Sequence, residues 1–129
     1  MLWGRNPERT EKIRNSGWRD ITDSLSEAVA GADLIILAVP VECLEDLGRK
    51  ILNLGIQSTV CVTDVGSVKA GPHQTLGQLM DSKGVTFIGS HPMAGSERTG
   101  FGAADANRCS GASCIPVSYT HLTLPTSHN

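Results

Sequence analysis

Two apolar blocks dominate the pattern of this chain. "DLIILAVPV" (33–41) and "STVCVTDV" (58–65) are continuous hydrophobic runs of strand length. Continuous rather than alternating hydrophobicity predicts strands buried on both faces, as in a parallel sheet. "VTFIGSHPM" (85–93) opens as a third such strand, and "MLW" (1–3) is an apolar stub that stops at Gly4. Helical patterns lie between these blocks. "PERTEKIRNSG" (7–17) has proline at its start and glycine after its end, the usual asymmetry of a helix. "SLSEAVAGA" (24–32) is opened by Asp23 or Ser24, with Glu27 three residues after the serine, as in a capping box. "ECLEDLGRKILNLG" (42–55) places Leu44, Leu47, Ile51 and Leu52 on one side of a helix. "KAGPHQTLGQLMDSKG" (69–84) is helical in part, with Gly71-Pro72 disturbing its start. Strands alternating with helices predict an α/β fold with a doubly wound parallel sheet.

Composition narrows the picture without changing it. The chain has 129 residues, 40% hydrophobic and 19% charged, which fits one globular domain. Its formal net charge of -2 makes no electrostatic case for nucleic acid or an anionic membrane. No apolar run reaches the roughly 18–20 residues of a membrane-spanning helix, and "MLWGRNPERTEK" has no signal-peptide core. A cytoplasmic protein is the expectation. Cys43 and Cys61 read as small core residues, and no set of His, Cys and carboxylates has metal-ligand spacing.

In open parallel sheets, ligands bind beyond the carboxyl ends of the strands. Three such ends stand out here: "AVPVE", "TDVGSVK" and "GSHPMAGSE". The first carries no reactive group, but Val39 and Pro40 suit a flat ligand lying across the sheet edge. The second offers Asp64, Gly66, Ser67 and Lys69; the glycine permits a tight turn or close approach of a ligand. Ser67 can donate to a substrate or to a histidine, although Asp64 and Ser67 can equally be caps of the next helix. The third offers His91, Ser96 and Glu97. With an unperturbed pKa near 6.5, a histidine can take a proton at neutral pH; a hydrogen-bonded histidine at a strand end is the structural alternative. Ser67, His91 and Asp64 also suggest a serine hydrolase, but the G-x-S-x-G elbow does not occur.

Taken together, "ADLIILAVPV", "TDVGSVK" and "HPMAGSERTGFGAADA", in this order, resemble the prephenate/arogenate dehydrogenase family of tyrosine biosynthesis. The resemblance covers about Met1 to Asn107. It implies a partial Rossmann-like sheet and an oxidative decarboxylation of prephenate or arogenate with NADP or NAD as hydride acceptor. It matches His91 to the catalytic base and Ser67 to the serine that orients substrate and base. Ser96 and Glu97 then fall among the substrate-binding positions, and Val39, Pro40, Asp64 and Gly66 among those that bind the cofactor. A small-molecule substrate and a homodimeric parent follow from the same likeness.

Three departures qualify these expectations. The G-x-G-x-x-G phosphate fingerprint does not occur, so the chain is expected to start at the second strand and to lack the first strand-turn-helix. A non-catalytic nucleotide-binding remnant is the alternative function this leaves. At the end of the expected second strand, Gly4 stands where an acid would meet the ribose of NAD, and Arg5 follows; an arginine there pairs with a 2′-phosphate and favours NADP. Finally, residues 108–129, "RCSGASCIPVSYTHLTLPTSHN", have no helical period, and "VSYTHLTLPT" resembles translated adapter sequence. That tail is expected to be non-native, outside the family region and without ordered packing, leaving 1–107 as the nucleotide-binding unit.

Overall fold

The computed structural model describes residues 1–66, 71–92, 111 and 114–118. Strand β1 (Leu2–Trp3) leads into helix α1 (Pro7–Asn15), β2 (Ile21–Thr22) and α2 (Leu25–Val29). Strand β3 (Leu34–Leu37) follows, then a 3-10 turn (Val41–Cys43) running into α3 (Leu44–Asn53). Strand β4 (Cys61–Asp64), helix α4 (Pro72–Ser82), β5 (Thr86–Pro92) and β6 (Cys114–Ser118) complete the order.

Local chemistry sets the helix starts. The Asn6 side chain accepts from the Arg9 amide at 3.2 Å, and Pro7 occupies the first turn of α1, where its missing N–H costs nothing. Ser24 caps α2 by accepting from the Glu27 amide at 3.3 Å. Helix α4 begins at Pro72, after Gly71 at φ 62°, a left-handed conformation that favours glycine. Residues 69 and 70, expected in that helix, lie outside the described residues.

The strands form two sheets. β1 and β2 pair in parallel, Leu2 opposite Ile21 and Trp3 opposite Thr22. β3, β4 and β5 pair in parallel in that order, and β6 closes the edge antiparallel to β5. No described strand joins β1 to β3, which matches a partial sheet lacking one strand-turn-helix unit. The two-residue strand β2 was not expected; two residues show no period in the sequence.

Helices α3 and α4 cover one face of the larger sheet. Ile35, Leu37, Val62 and Phe87 from the strands pack with Leu44, Leu47 and Ile51 of α3 and Leu76 and Met80 of α4. Val62, Leu76, Met80 and Phe87 are fully buried. Each side chain of this size stabilises the fold by about 1.5–3 kcal/mol through burial. The opposite face corrects one expectation: Leu34 and Ile36 of β3 are 54% and 56% exposed, so this strand is not buried on both sides. Both α3 and α4 pack against the same face, and β3 is an edge strand among the described residues. The two cysteines expected in the core, Cys43 and Cys61, are free and only half-buried.

A second difference concerns the tail. Within the segment expected to be unpacked, residues 114–118 form β6, with His91 opposite Ile115 and Ser90 opposite Pro116. Ile115 and Val117 supply β-branched residues, and Pro116 is exposed on an edge strand, the position in a sheet where proline is tolerated. The other residues of 108–129, apart from Gly111, lie outside the described residues. Among the described residues no helix is long and apolar enough to cross a membrane.

Candidate functional site

Parallel pairing brings the carboxyl ends of β3, β4 and β5 to one edge of the sheet. Leu37 lies opposite Asp64, and Asp64 opposite Gly89. Beyond these pairs β3 and β4 leave the sheet as Ala38-Val39-Pro40 and as Val65-Gly66, while β5 runs on through Ser90, His91 and Pro92, paired with β6 alone. The first exit is held by the 3-10 turn, in which the Cys43 amide donates to the Pro40 carbonyl at 2.9 Å. Val39 is half-buried against the core and Pro40 is exposed. The two exits are tied together where the Val65 amide donates to the Leu37 carbonyl at 3.2 Å.

Asp64 is the only charged residue among the buried groups described. Burying a carboxylate is costly unless hydrogen bonds replace its water. Here the Gly66 amide donates to Asp64 Oδ2 at 3.1 Å, closing a turn two residues long. A Cβ on Gly66 would sit 3.2 Å from that same oxygen, so the glycine makes room for the turn. Helix α4 begins after Gly71, a residue without a side chain to cap it. The carboxylate shapes the β4 exit from beneath rather than facing solvent.

The end of β5 is fastened to the end of β4 by hydroxyls. Ser90 Oγ donates to the Asp64 carbonyl at 2.7 Å and lies 3.0 Å from Thr63 Oγ1. The Thr63 hydroxyl also donates to the Ile88 carbonyl. His91, the next residue of β5, therefore stands just past the end of β4, beside the Asp64–Gly66 turn, with β6 on its other side. Thr63 and Ser90 were not singled out in the sequence; their signal is a pair of hydroxyl residues at the ends of neighbouring strands, visible only once the register is known.

The structure thus brings Val39, Pro40, Asp64, Gly66 and His91 to one edge. Arg5 is exposed at the end of β1, on the smaller sheet, immediately before the cap of α1. Gly4 beside it is closely packed: a Cβ there would lie 2.6 Å from Thr10 Cγ2. Ser67, Ser96 and Glu97 lie outside the described residues.

These elements also recur in known proteins. A family model described as "Prephenate dehydrogenase, nucleotide-binding domain" matches residues 1–120. The chain belongs to the prephenate dehydrogenase family. The match runs past the boundary expected at Asn107 and takes in β6. The prephenate dehydrogenase of Lactococcus lactis subsp. cremoris is 40% identical over 109 residues, which are 82% of this chain and 30% of that protein. The chain therefore spans less than a third of that relative's length.

Solved structures of the family show the same architecture. The prephenate dehydrogenase of Aquifex aeolicus, crystallised with hydroxyphenyl propionate and NAD+, superimposes with a TM-score of 0.73 at 28% identity, covering 88% of this chain and 39% of that one. Arogenate dehydrogenase from Synechocystis does so with a TM-score of 0.69 at 29% identity, covering 95% and 44%. The fold of this chain is accordingly a partial Rossmann-type nucleotide-binding unit.

The residues present fit part of a dinucleotide. An exposed guanidinium at the end of β1 fits the ribose end, and half-buried Val39 with exposed Pro40 offers an apolar wall. The glycine-rich turn that would hold a pyrophosphate does not occur in the 129 residues.

Proposed function

We propose that this chain is the nucleotide-binding portion of an enzyme that oxidatively decarboxylates prephenate or arogenate. The observation that carries this reading is the placement of His91 beside the Asp64–Gly66 turn, at the carboxyl edge of a parallel sheet. That edge is where ligands of such sheets lie. The Aquifex aeolicus relative was crystallised with NAD+, which supports a nicotinamide dinucleotide here.

His91 would take the proton from the ring hydroxyl of the substrate, within hydrogen-bond reach of it. The electron pair of that O–H bond becomes the carbonyl bond as hydride leaves the same carbon. The bond to the ring carboxylate then breaks, and its pair enters the ring as the carbonyl pair moves onto oxygen. Carbon dioxide departs, the ring becomes aromatic, and the oxygen takes back the proton held by His91. Bound NAD+ or NADP+ would accept the hydride. Ser67 would orient His91 and the substrate, and Ser96 and Glu97 would line the substrate side. Val39 and Pro40 would form the wall against which the cofactor lies, with Asp64 and Gly66 setting the turn beneath it. Arg5 supports NADP as the preferred cofactor, since a guanidinium pairs with a 2′-phosphate through two parallel hydrogen bonds.

The test is prephenate- or arogenate-dependent reduction of NAD+ and NADP+ by the full-length protein carrying this chain, with carbon dioxide release measured in parallel. Equal yields of reduced cofactor and carbon dioxide are expected. Reduction with neither substrate would overturn the proposal.

A further inference from the structure

We propose that the Thr63–Ser90 hydroxyl pair is a positioning device that sets where His91 stands past the end of β4. This rests on the reading of His91 as the base. The β4–β5 register is defined up to Asp64 opposite Gly89, and His91 lies two residues further on. Beyond that point β4 has ended and β5 is held by β6 on its other side only, so any slack between β5 and the end of β4 would move the base relative to the Asp64–Gly66 turn. The hydroxyls act at this junction. Ser90 Oγ reaches the Asp64 carbonyl at 2.7 Å, so the residue before His91 is tied to the residue that closes the turn. Thr63 Oγ1 donates to the Ile88 carbonyl, a second tie from β4 to β5, and lies 3.0 Å from Ser90 Oγ, against which it packs. Both hydroxyls are part-buried, where their bonds to the Asp64 and Ile88 carbonyls are stronger than in water. Thr63 and Ser90 need touch neither substrate nor cofactor to have this effect; they act through His91.

A displacement of about 1 Å in a catalytic group can cost up to about 100-fold in rate. The experiment compares wild type, Ser90→Ala, Ser90→Thr and Thr63→Val in the full-length protein. Wild-type turnover of prephenate or arogenate is measured first, so that failure of the functional reading is seen separately. Ser90→Ala and Thr63→Val should each lower kcat by about 10-fold with KM changed less than about 2-fold. Ser90→Thr, which keeps the hydroxyl, should recover most of the loss. The double variant should cost little more than either single change, because the two hydroxyls work as one unit. Imidazole resonances of isotopically labelled protein supply a readout independent of turnover: those of His91 should move in both single variants, while those of His73 on α4 stay in place. Unchanged kcat together with unmoved His91 resonances would overturn the proposal. So would a loss confined to KM, or a Ser90→Thr variant as impaired as Ser90→Ala. If Ser90→Ala fails to fold, Thr63→Val, which keeps side-chain volume, decides the matter alone.

Discussion

Gly48 sits inside α3, buried where that helix crosses α4. Replacing it with alanine tests the packing that supports the site. In an exposed helix the change would be favourable by about 1 kcal/mol, because glycine loses more backbone entropy on folding. Here an added Cβ would lie 2.2 Å from Leu76 Cδ1 and 3.4 Å from Met80 Cε. Carbon atoms prefer about 3.5–4.0 Å, so the leucine must retreat by more than 1 Å. Leu76 and Met80 are both at 0% exposure, which leaves no solvent-filled space to move into. Either Leu76 leaves its rotamer or α3 and α4 spread, and overpacking of this kind costs about 1–3 kcal/mol. The balance is a destabilisation of about 1–2 kcal/mol. Urea unfolding followed by the emission of Trp3, which packs against the core, reads it directly. With a slope of about 2 kcal/mol/M, the midpoint should fall by about 0.5–1 M. In the Gly48→Ala background, Leu76→Ala should cost at least about 1 kcal/mol less than in the wild type, because the new methyl occupies part of the space. A Gly48→Ala protein more stable than the wild type would refute the reasoning, since it would mean that the helices do not meet at this glycine.

Other changes probe different parts of the account. Phe87→Ala removes a fully buried ring from β5 and should cost about 3–5 kcal/mol in the same unfolding assay. Asp64→Ala removes the acceptor of the Gly66 amide and should lose about 1–3 kcal/mol, with hydrogen exchange at that amide speeding up. Arg49→Ala breaks an exposed ion pair with Glu45 and should change stability by less than about 0.5 kcal/mol; a larger loss would show packing that the structure does not contain. Arg5→Asp should raise the KM for NADP+ by at least about 10-fold and leave that for NAD+ unchanged or lower, measured by initial rates in the full-length protein.

The sequence announced those elements whose signals are local. Asn6-Pro7 and Ser24-x-x-Glu27 carry their capping chemistry in adjacent positions, and both helices start there. Gly71-Pro72 marked a break, and α4 begins at the proline because the glycine before it takes a left-handed φ. Burial was less legible. "DLIILAVPV" reads as buried on both faces, yet Leu34 and Ile36 are exposed, because hydrophobicity records what a strand can bury and not what covers it. β2 was invisible because two residues have no period, and β6 lies in a tail that its lack of helical period and its likeness to adapter sequence set apart as non-native. At the site, the strand ends drew attention to Val39, Pro40, Asp64, Gly66 and His91, and the sheet gathers all five on one edge. That Asp64 accepts from the Gly66 amide could not be read from spacing, being a matter of three-dimensional direction. The Thr63–Ser90 contact needed the register itself, being separated by 27 positions in the chain.

The central claim is that His91 is the base of an oxidative decarboxylation. Its most direct test is steady-state turnover of prephenate and arogenate by the full-length protein, wild type against His91→Asn. Asparagine keeps a hydrogen-bonding side chain at the strand end but cannot take up the proton. General base catalysis contributes about 100- to 10,000-fold, so kcat should fall by a factor in that range while KM for the substrate stays within about 3-fold. A His91→Asn protein that retains full turnover would contradict the account.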